Sequence, residues 1–148
     1  MIIRLDSDQI VLFWDMIRKA AIEANQIPEK HQQDYAINKL TRLLSGNSQA
    51  WVGYTIDDIK GKNIKCIILT SIIDEKNYGI RVLNIESIYG FRLITLDVVE
   101  KIYAGLEKFA KSTKCDVMSG DYSFSRVKEF LFHVGFEKHR TVCRKFLH

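Results

Sequence analysis

Two stretches near the amino terminus repeat apolar residues every three or four positions, which predicts two helices with one buried face each. In the first stretch the apolar positions are Ile10, Phe13, Trp14, Ile17, Ala20 and Ala21. In the second they are Tyr35, Ile37, Leu40, Leu43 and Leu44. Pro28 separates the two helices, Asp6 with Gln9 predicts a cap on the first, and Gly46 predicts the end of the second.

From Ala50 onward the pattern changes to short runs rich in β-branched and aromatic residues. These runs predict strands at residues 51–55, 64–73 and 80–87. The segments between them are short and contain turn-forming residues, so we expect an antiparallel meander.

A third helix is predicted near residues 95–111, with Thr95 as its cap. Its buried face consists of Val98, Val99, Ile102, Tyr103, Leu106, Phe109 and Ala110. A short strand at residues 115–118 follows. A strand, a helix and a second strand in this order form a βαβ unit, so the strands at 80–87 and 115–118 are expected to be parallel neighbours.

The last elements predicted are a short helix and a strand. The helix buries Val127, Phe130, Leu131 and Val134 and ends at Gly135, and residues 136–147 have the length of a final strand or hairpin arm. We also expect Trp14, Phe109 and Phe130 to be core residues. The whole order is β-α-α-β-β-β-α-β-α-β, an α/β fold in which a mixed sheet carries helices on both faces.

Composition is that of an ordinary globular protein. The 148 residues are 47% hydrophobic and 27% charged, so we expect a single domain over residues 1–148. No stretch reaches the roughly 18 uncharged apolar residues of a membrane span, and Asp6 interrupts any signal peptide. Cys66, Cys115 and Cys143 form no CxxC pair, which favours free thiols and a cytoplasmic protein.

The formal net charge is +4 and the basic residues concentrate toward the carboxyl terminus. The basic residues of that region are Lys111, Lys114, Arg126, Lys128, Lys138, Arg140 and Arg144. We interpret them as a solvated face, because exposed aromatic residues do not alternate with them as in many nucleic-acid-binding proteins. For that reason we expect no nucleic-acid partner. His139 and Cys143 are four residues apart, but no second pair at metal-ligand spacing accompanies them, so we expect no metal site.

The segment from Ser125 to Phe136 resembles the last helix of GNAT-fold acetyltransferases, which runs into a Gly-Phe dipeptide at the start of the final strand. Residues 101–115 resemble the preceding helix and the family's Gly-Cys entry to the next strand, and the order of elements is also the family's. A closer likeness is to small GNAT-like proteins of bacteriophages. In those a Gly-Trp-x-Arg-x-Leu run precedes the Gly-Phe pair, at the place that residues 123–127 occupy here.

The resemblance implies a coenzyme A site before the long helix. The family's loop carries Arg/Gln-x-x-Gly-x-Gly/Ala, whose glycines expose backbone N–H groups to the pyrophosphate. Here Asp97 and Val99 stand near the glycine positions, and a carboxylate in the first turn repels pyrophosphate. The candidate binding residues at this loop are Gly90, Phe91, Arg92 and Thr95.

The resemblance also implies two catalytic positions. Family enzymes often protonate the leaving thiolate with a tyrosine four residues before the Gly-Phe glycine, a position that Leu131 holds here. Tyr122 is the candidate substitute, since Tyr103 lies on the apolar face of its helix and is better explained as a core residue. Glu86, near the end of its strand, is the candidate base, with an exposed structural carboxylate as the alternative.

Two functions remain open. The departures at the loop and at Leu131 favour a GNAT-fold protein with a degenerate coenzyme A loop, a non-catalytic protein-binding or virion-associated module of phage type. Such a module has no cofactor, has a protein partner or a second copy of itself, and resides in the host cytoplasm or the virion. The alternative is an acetyl-CoA-dependent N-acetyltransferase with an atypical phosphate loop, whose partner is a small-molecule acyl-CoA.

Overall fold

The structure is a computed structural model that describes residues 1–57, 61–90, 93–122, 124–140, 143, 145 and 147. At positions 57 and 62 it describes the backbone alone. The amino-terminal elements are β1 (Ile2–Arg4), α1 (Ser7–Leu12), α2 (Trp14–Asn25), a short 3₁₀ helix (Glu29–His31) and α3 (Gln32–Ser45). The strands β2 (Ser48–Asp57), β3 (Gly61–Glu75) and β4 (Ile80–Tyr89) follow. The chain continues through α4 (Leu96–Ser112), β5 (Val117–Gly120) and α5 (Ser125–His133).

The five strands form one mixed sheet in the order β1-β2-β3-β4-β5. The neighbours β1/β2, β2/β3 and β3/β4 are antiparallel, which confirms the predicted meander. β4 and β5 are parallel from Val82 opposite Val117 to Ile85 opposite Gly120, as the βαβ pattern predicts, and α4 connects them.

Helices cover both faces of this sheet, so the predicted α/β architecture is confirmed. Under α4 and α5 the apolar core contains Trp51, Cys66, Ile68, Ile85, Ile102, Leu106 and Phe130. We call this side the α4/α5 face. Under α1, α2 and α3 a second core contains Leu5, Ile17, Ala21, Leu43, Val52, Ile67 and Leu69, and we call that side the α1–α3 face.

Helix ends follow the predicted signals for the most part. Asp6 and Gln9 form a reciprocal capping box, in which each side chain accepts a hydrogen bond from the other residue's backbone N–H at 2.9 Å. Gly46 ends α3 in the left-handed conformation, with a φ of 85°. Thr95 occupies the N-cap position of α4, but its side chain makes no capping hydrogen bond.

Two expectations about the elements were wrong. The first predicted helix is two helices, since the chain turns at Phe13 between α1 and α2. The predicted final strand at residues 136–147 is not present in the part of it that the structure describes. Phe136 instead closes the end of α5. Its N–H donates to the Leu131 carbonyl at 3.0 Å while that of Gly135 donates to the Phe132 carbonyl at 3.1 Å, which is a Schellman motif.

The core prediction holds for one of three aromatic residues. Phe130 is 1% exposed, whereas Trp14 and Phe109 are only partly buried. Trp14 is the first residue of α2, next to the turn that separates the helices. Phe109 packs edge-on against Trp51 with 4.9 Å between ring centroids, and the Arg4 guanidinium of the edge strand lies 5.2 Å from the centroid of its ring.

Among the described residues, no helix is both long and apolar enough to cross a membrane.

Candidate active site

The neighbouring strands β4 and β5 separate partway along β4. Their pairing ends at Ile85 opposite Gly120, while β4 continues to Tyr89. At the same point the register between β3 and β4 shifts: Thr70 pairs with Ile85 and Leu69 pairs with Ser87. Glu86 is therefore the extra residue of a β-bulge, an irregularity that bends a strand and redirects a side chain.

A cleft opens where the two strands part. Its walls are the end of α2 (Ala24 and Asn25), the bulged part of β4 (Glu86, Ser87 and Ile88) and the segment after β5 (Asp121, Tyr122, Phe124 and Val127). The space is small, about 30 Å³. The structure thus brings together the two residues proposed for catalysis: Glu86, which lies in β4, and Tyr122, which lies in the segment after β5.

Glu86 makes a buried ion pair. Its Oε2 accepts a hydrogen bond from Nζ of Lys39, which α3 carries across the α1–α3 face. The Lys39 side chain is 8% exposed and that of Glu86 is 16% exposed. The alternative of an exposed strand carboxylate is therefore wrong, because the side chain turns inward to meet Lys39 of α3.

Tyr35 and Asn25 extend this polar group. Tyr35 lies one helical turn before Lys39, and Lys39 Nζ is 5.8 Å from the centroid of its ring. Asn25 donates to the Tyr35 hydroxyl oxygen at 3.2 Å and to the Ala21 carbonyl at 2.9 Å. Burial, and then the negative charge of Glu86, raise the pKa of Tyr35 to about 12, against the opposing effect of the Asn25 hydrogen bond. Tyr35 is therefore neutral at physiological pH.

Lys39, Tyr35 and Asn25 were not among the site residues proposed from the sequence, and Tyr35 was predicted only as an apolar position of its helix. A signal for Lys39 was present, because Tyr35, Lys39 and Leu43 are four residues apart and so share one helical stripe. A lysine on an apolar stripe needs a buried partner. The partner itself, Glu86, lies 47 residues away and only the tertiary structure identifies it.

The environments differ at the three positions considered for the proton donor. Tyr122 is 42% exposed at the cleft, and Lys128 Nζ lies 5.9 Å from its ring centroid. Tyr103 is partly buried against Phe136, at 5.7 Å between ring centroids, and burial followed by the charge of Glu107 raises its pKa. Leu131 is buried on the α4/α5 face. Of these three, only Tyr122 lines the cleft.

The start of α4 is the position of the predicted coenzyme A loop. Gly90 has a φ of 82°, and a Cβ added there would lie 2.6 Å from the Lys65 carbonyl oxygen, so glycine lets the chain leave β4 close against β3. Phe91 and Arg92 lie outside the described residues. Thr95 is exposed. Of the two residues expected to obstruct the loop, Val99 points into the core and only Asp97 is exposed.

Within the described residues, backbone N–H groups in the first turn of α4 have no acceptor. Val99 N–H donates to the Thr95 carbonyl, but no described residue accepts from the N–H groups of Leu96, Asp97 and Val98. Unpaired N–H groups and the helix dipole make such a turn suitable for an anion. The exposed carboxylate of Asp97 in the same turn opposes that effect.

Comparisons with solved structures identify the fold. A probable acetyltransferase matches with a TM-score of 0.69 and 13% identity, over 100% of this chain and 97% of that one. The aminoglycoside acetyltransferase AAC(6')-Iy, bound to a bisubstrate analogue of CoA and acetylneamine, matches with a TM-score of 0.67 and 15% identity over 100% and 97%. A predicted acetyltransferase from Clostridium acetobutylicum with acetyl-CoA matches with a TM-score of 0.67 and 15% identity over 99% and 95%.

The chain thus has the fold of the GNAT acetyltransferases over its whole length. At this level of identity the likeness concerns the fold. Neither the scan of protein-family models nor the search of curated proteins finds a match to the sequence.

Proposed function

We propose that this protein is an acetyl-CoA-dependent N-acetyltransferase, with its acceptor amine bound in the cleft between β4 and β5. The observation that carries the proposal is the position of Glu86 on a bulge where the strands part, within a fold shared with acetyltransferases over the full chain. Solved neighbours that contain CoA or acetyl-CoA support this alternative over the non-catalytic module. None of the structures named above is described as a phage protein.

The residues of the cleft have complementary roles in this proposal. Glu86 takes the proton of the acceptor amine as its nitrogen forms a bond with the thioester carbonyl carbon. Tyr122 gives a proton to the sulfur as the carbon–sulfur bond breaks. Solvent at the open side of the cleft returns the proton from Glu86 to Tyr122. The N–H groups of Leu96, Asp97 and Val98 hold the diphosphate of the donor.

A second candidate is the non-catalytic module that binds a protein partner or a second copy of the chain. Two observations favour it: the Glu86 carboxylate is engaged by Lys39, and the exposed Asp97 opposes anion binding at α4. The two candidates differ in whether acetyl-CoA binds and whether its thioester is cleaved.

Calorimetric titration with acetyl-CoA and a thiol-release assay with primary amines separate them. We expect binding, and a ligand at a hundred times its Kd stabilises the fold by about 2.7 kcal/mol. Spermidine, neamine and a peptide with an amino-terminal alanine are suitable probe amines. Glu86→Gln should lower turnover by about 10²-fold or more while acetyl-CoA binding remains.

Glu107→Gln, on the exposed side of α4, is the matched control and should keep full turnover. Binding without thiol release in the wild type would favour the non-catalytic module. Absence of binding would rule out the acetyltransferase.

A further inference from the structure

The ion pair between Lys39 and Glu86 differs from the other ion pairs among the described residues. Its side chains are 8% and 16% exposed. The remaining pairs lie at the surface, for example Lys111 with Glu107 at 75% and 41%. The pair also joins two layers of the molecule, since α3 supplies the lysine and the bulge of β4 supplies the glutamate.

Stability gives little reason for this arrangement. Removing two charges from water costs about as much as their attraction returns, and apolar pairs of similar volume often serve a fold equally well. The core cluster of the α1–α3 face consists of apolar residues, among them Leu43, Val52 and Leu69. An apolar pair at these two positions would match them.

The position of the pair beside the cleft explains it better, because the pair can orient the Glu86 side chain there. The bulge determines where the backbone of Glu86 lies, but the glutamate side chain still has several rotamers. A hydrogen-bonded ammonium at Oε2 selects one of them. Tyr35 adds no competing charge, because it remains neutral, and its ring limits where Lys39 Nζ can move.

We propose that Lys39 is a positioning residue for the transfer reaction. Its ammonium holds Oε2 of Glu86, so that Oε1 of the same carboxylate receives the hydrogen bond of the acceptor amine in the cleft. The inference rests on the proposed function, because it assigns to Lys39 the orientation of the base in that reaction. Lys39 acts through Glu86 and has no contact with the substrate.

The test is a double-mutant cycle on the full-length protein, with thiol release from acetyl-CoA measured using spermidine, neamine and the alanine peptide. The variants are Lys39→Met, Glu86→Gln and their combination. Methionine has nearly the length and helix propensity of lysine without its charge. Lys39→Gln replaces Lys39→Met if that variant does not fold, and circular dichroism establishes folding. Lys39→Arg tests rescue, and Lys111→Met is the control at an exposed pair.

We expect Lys39→Met to lower kcat at least tenfold while the Kd for acetyl-CoA stays within twofold. In the Glu86→Gln background the same substitution should change the residual kcat less than twofold, because its target is already absent. Lys39→Arg should recover part of kcat, and Lys111→Met should leave it unchanged.

A merely structural role predicts a different result. Lys39→Met would then lower kcat equally in both backgrounds, or only in proportion to the unfolded fraction, and either outcome would overturn the proposal. If a folded Lys39→Met keeps wild-type kcat, the positioning role is refuted while the acetyltransferase remains. If the wild type itself releases no thiol with any probe, the proposed function fails and the role of Lys39 fails with it.

Discussion

The two faces of the sheet handle buried polar groups differently. On the α4/α5 face Trp51, Thr70 and Gln49 form a neutral chain: Trp51 Nε1 donates to Thr70 Oγ1 at 2.9 Å, and Thr70 Oγ1 donates to Gln49 Oε1 at 2.8 Å. On the α1–α3 face the buried polar groups include a full ion pair, Lys39 with Glu86. The first arrangement satisfies every partner at low cost, whereas the second requires the removal of two charges from water.

The difference follows the position of the bulge. From Val82 to Ile85, β4 pairs with strands on both sides in a regular register. At Glu86 the bulge interrupts the alternation, and the carboxylate meets Lys39 of α3 beside the cleft. A costly polar group therefore occurs where the sheet opens, and a neutral one where it is closed. Polar groups that oppose stability in this way are typical of functional sites.

The largest effect expected is on the free energy of unfolding, at the core of the α4/α5 face. Phe130, on the buried side of α5, is 1% exposed, so Phe130→Ala should lower the free energy of unfolding by about 3–5 kcal/mol. Phe109 is only partly buried, and Phe109→Ala should cost less. Chemical denaturation measures both. Equal losses would mean that the edge of this core is as tightly packed as its centre.

The next effect concerns Gly90, where β4 ends and the chain turns toward α4. Gly90→Ala places a Cβ near the Lys65 carbonyl at a φ of 82°, so it should destabilise the fold by about 1–3 kcal/mol. Gly79→Ala is the matched control, since Gly79 also has a positive φ, 65°, but open space around it. If the two variants lose the same stability in urea, the backbone conformation and not the contact with β3 explains the glycine.

Tyr35 provides a test of the polar group on the α1–α3 face. Its pKa is about 12 in the folded protein and 10.0 in the reference state, so its contribution to stability is complete below pH 10 and is lost as the pH rises through 12. Tyr35→Phe should cost about 1 kcal/mol at neutral pH through the lost Asn25 hydrogen bond. Between pH 10 and 11 the variant should lose less stability than the wild type.

Urea denaturation at pH 8 and pH 10.5 gives this comparison. Cys66 must be considered in it, because burial raises the pKa of its thiol to about 11 from 9.0 and destabilises the fold in a similar range. Since both proteins contain Cys66, its effect cancels in the difference. A parallel loss in the two proteins would show that Tyr35 ionises as freely in the folded state as in the unfolded chain.

The smallest effect expected is at the start of α4. Asp97 is an exposed acidic residue in the first turn of α4, whose first N–H groups have no acceptor among the described residues. Asp97→Asn should therefore tighten acetyl-CoA binding by about two- to fivefold at low salt. Calorimetry measures the change, and 0.5 M salt should reduce it because the charge is screened. Glu107→Gln, far along the same helix, should leave the affinity unchanged. A Kd that does not respond to Asp97→Asn would place the donor away from this turn.

The local elements of this fold could be predicted from the sequence, but their contacts at the site could not. The meander, the βαβ unit and the cap at Asp6 depend on neighbours within a few residues or on periodicity, which the chain displays directly. The turn at Phe13 carries neither glycine nor proline, and so nothing in the sequence marked the division of the first helix.

Glu86 and Tyr122 were identified as candidates from the sequence, through a resemblance and their position near strand ends. What only the tertiary structure decided is the bulge at Glu86 and its ion pair with Lys39. A bulge depends on the register of a partner strand, and a buried ion pair depends on how two elements pack against each other. Both features depend on residues that are far apart in the chain. Helix stripes, strand alternation and caps depend only on residues within a single turn or strand.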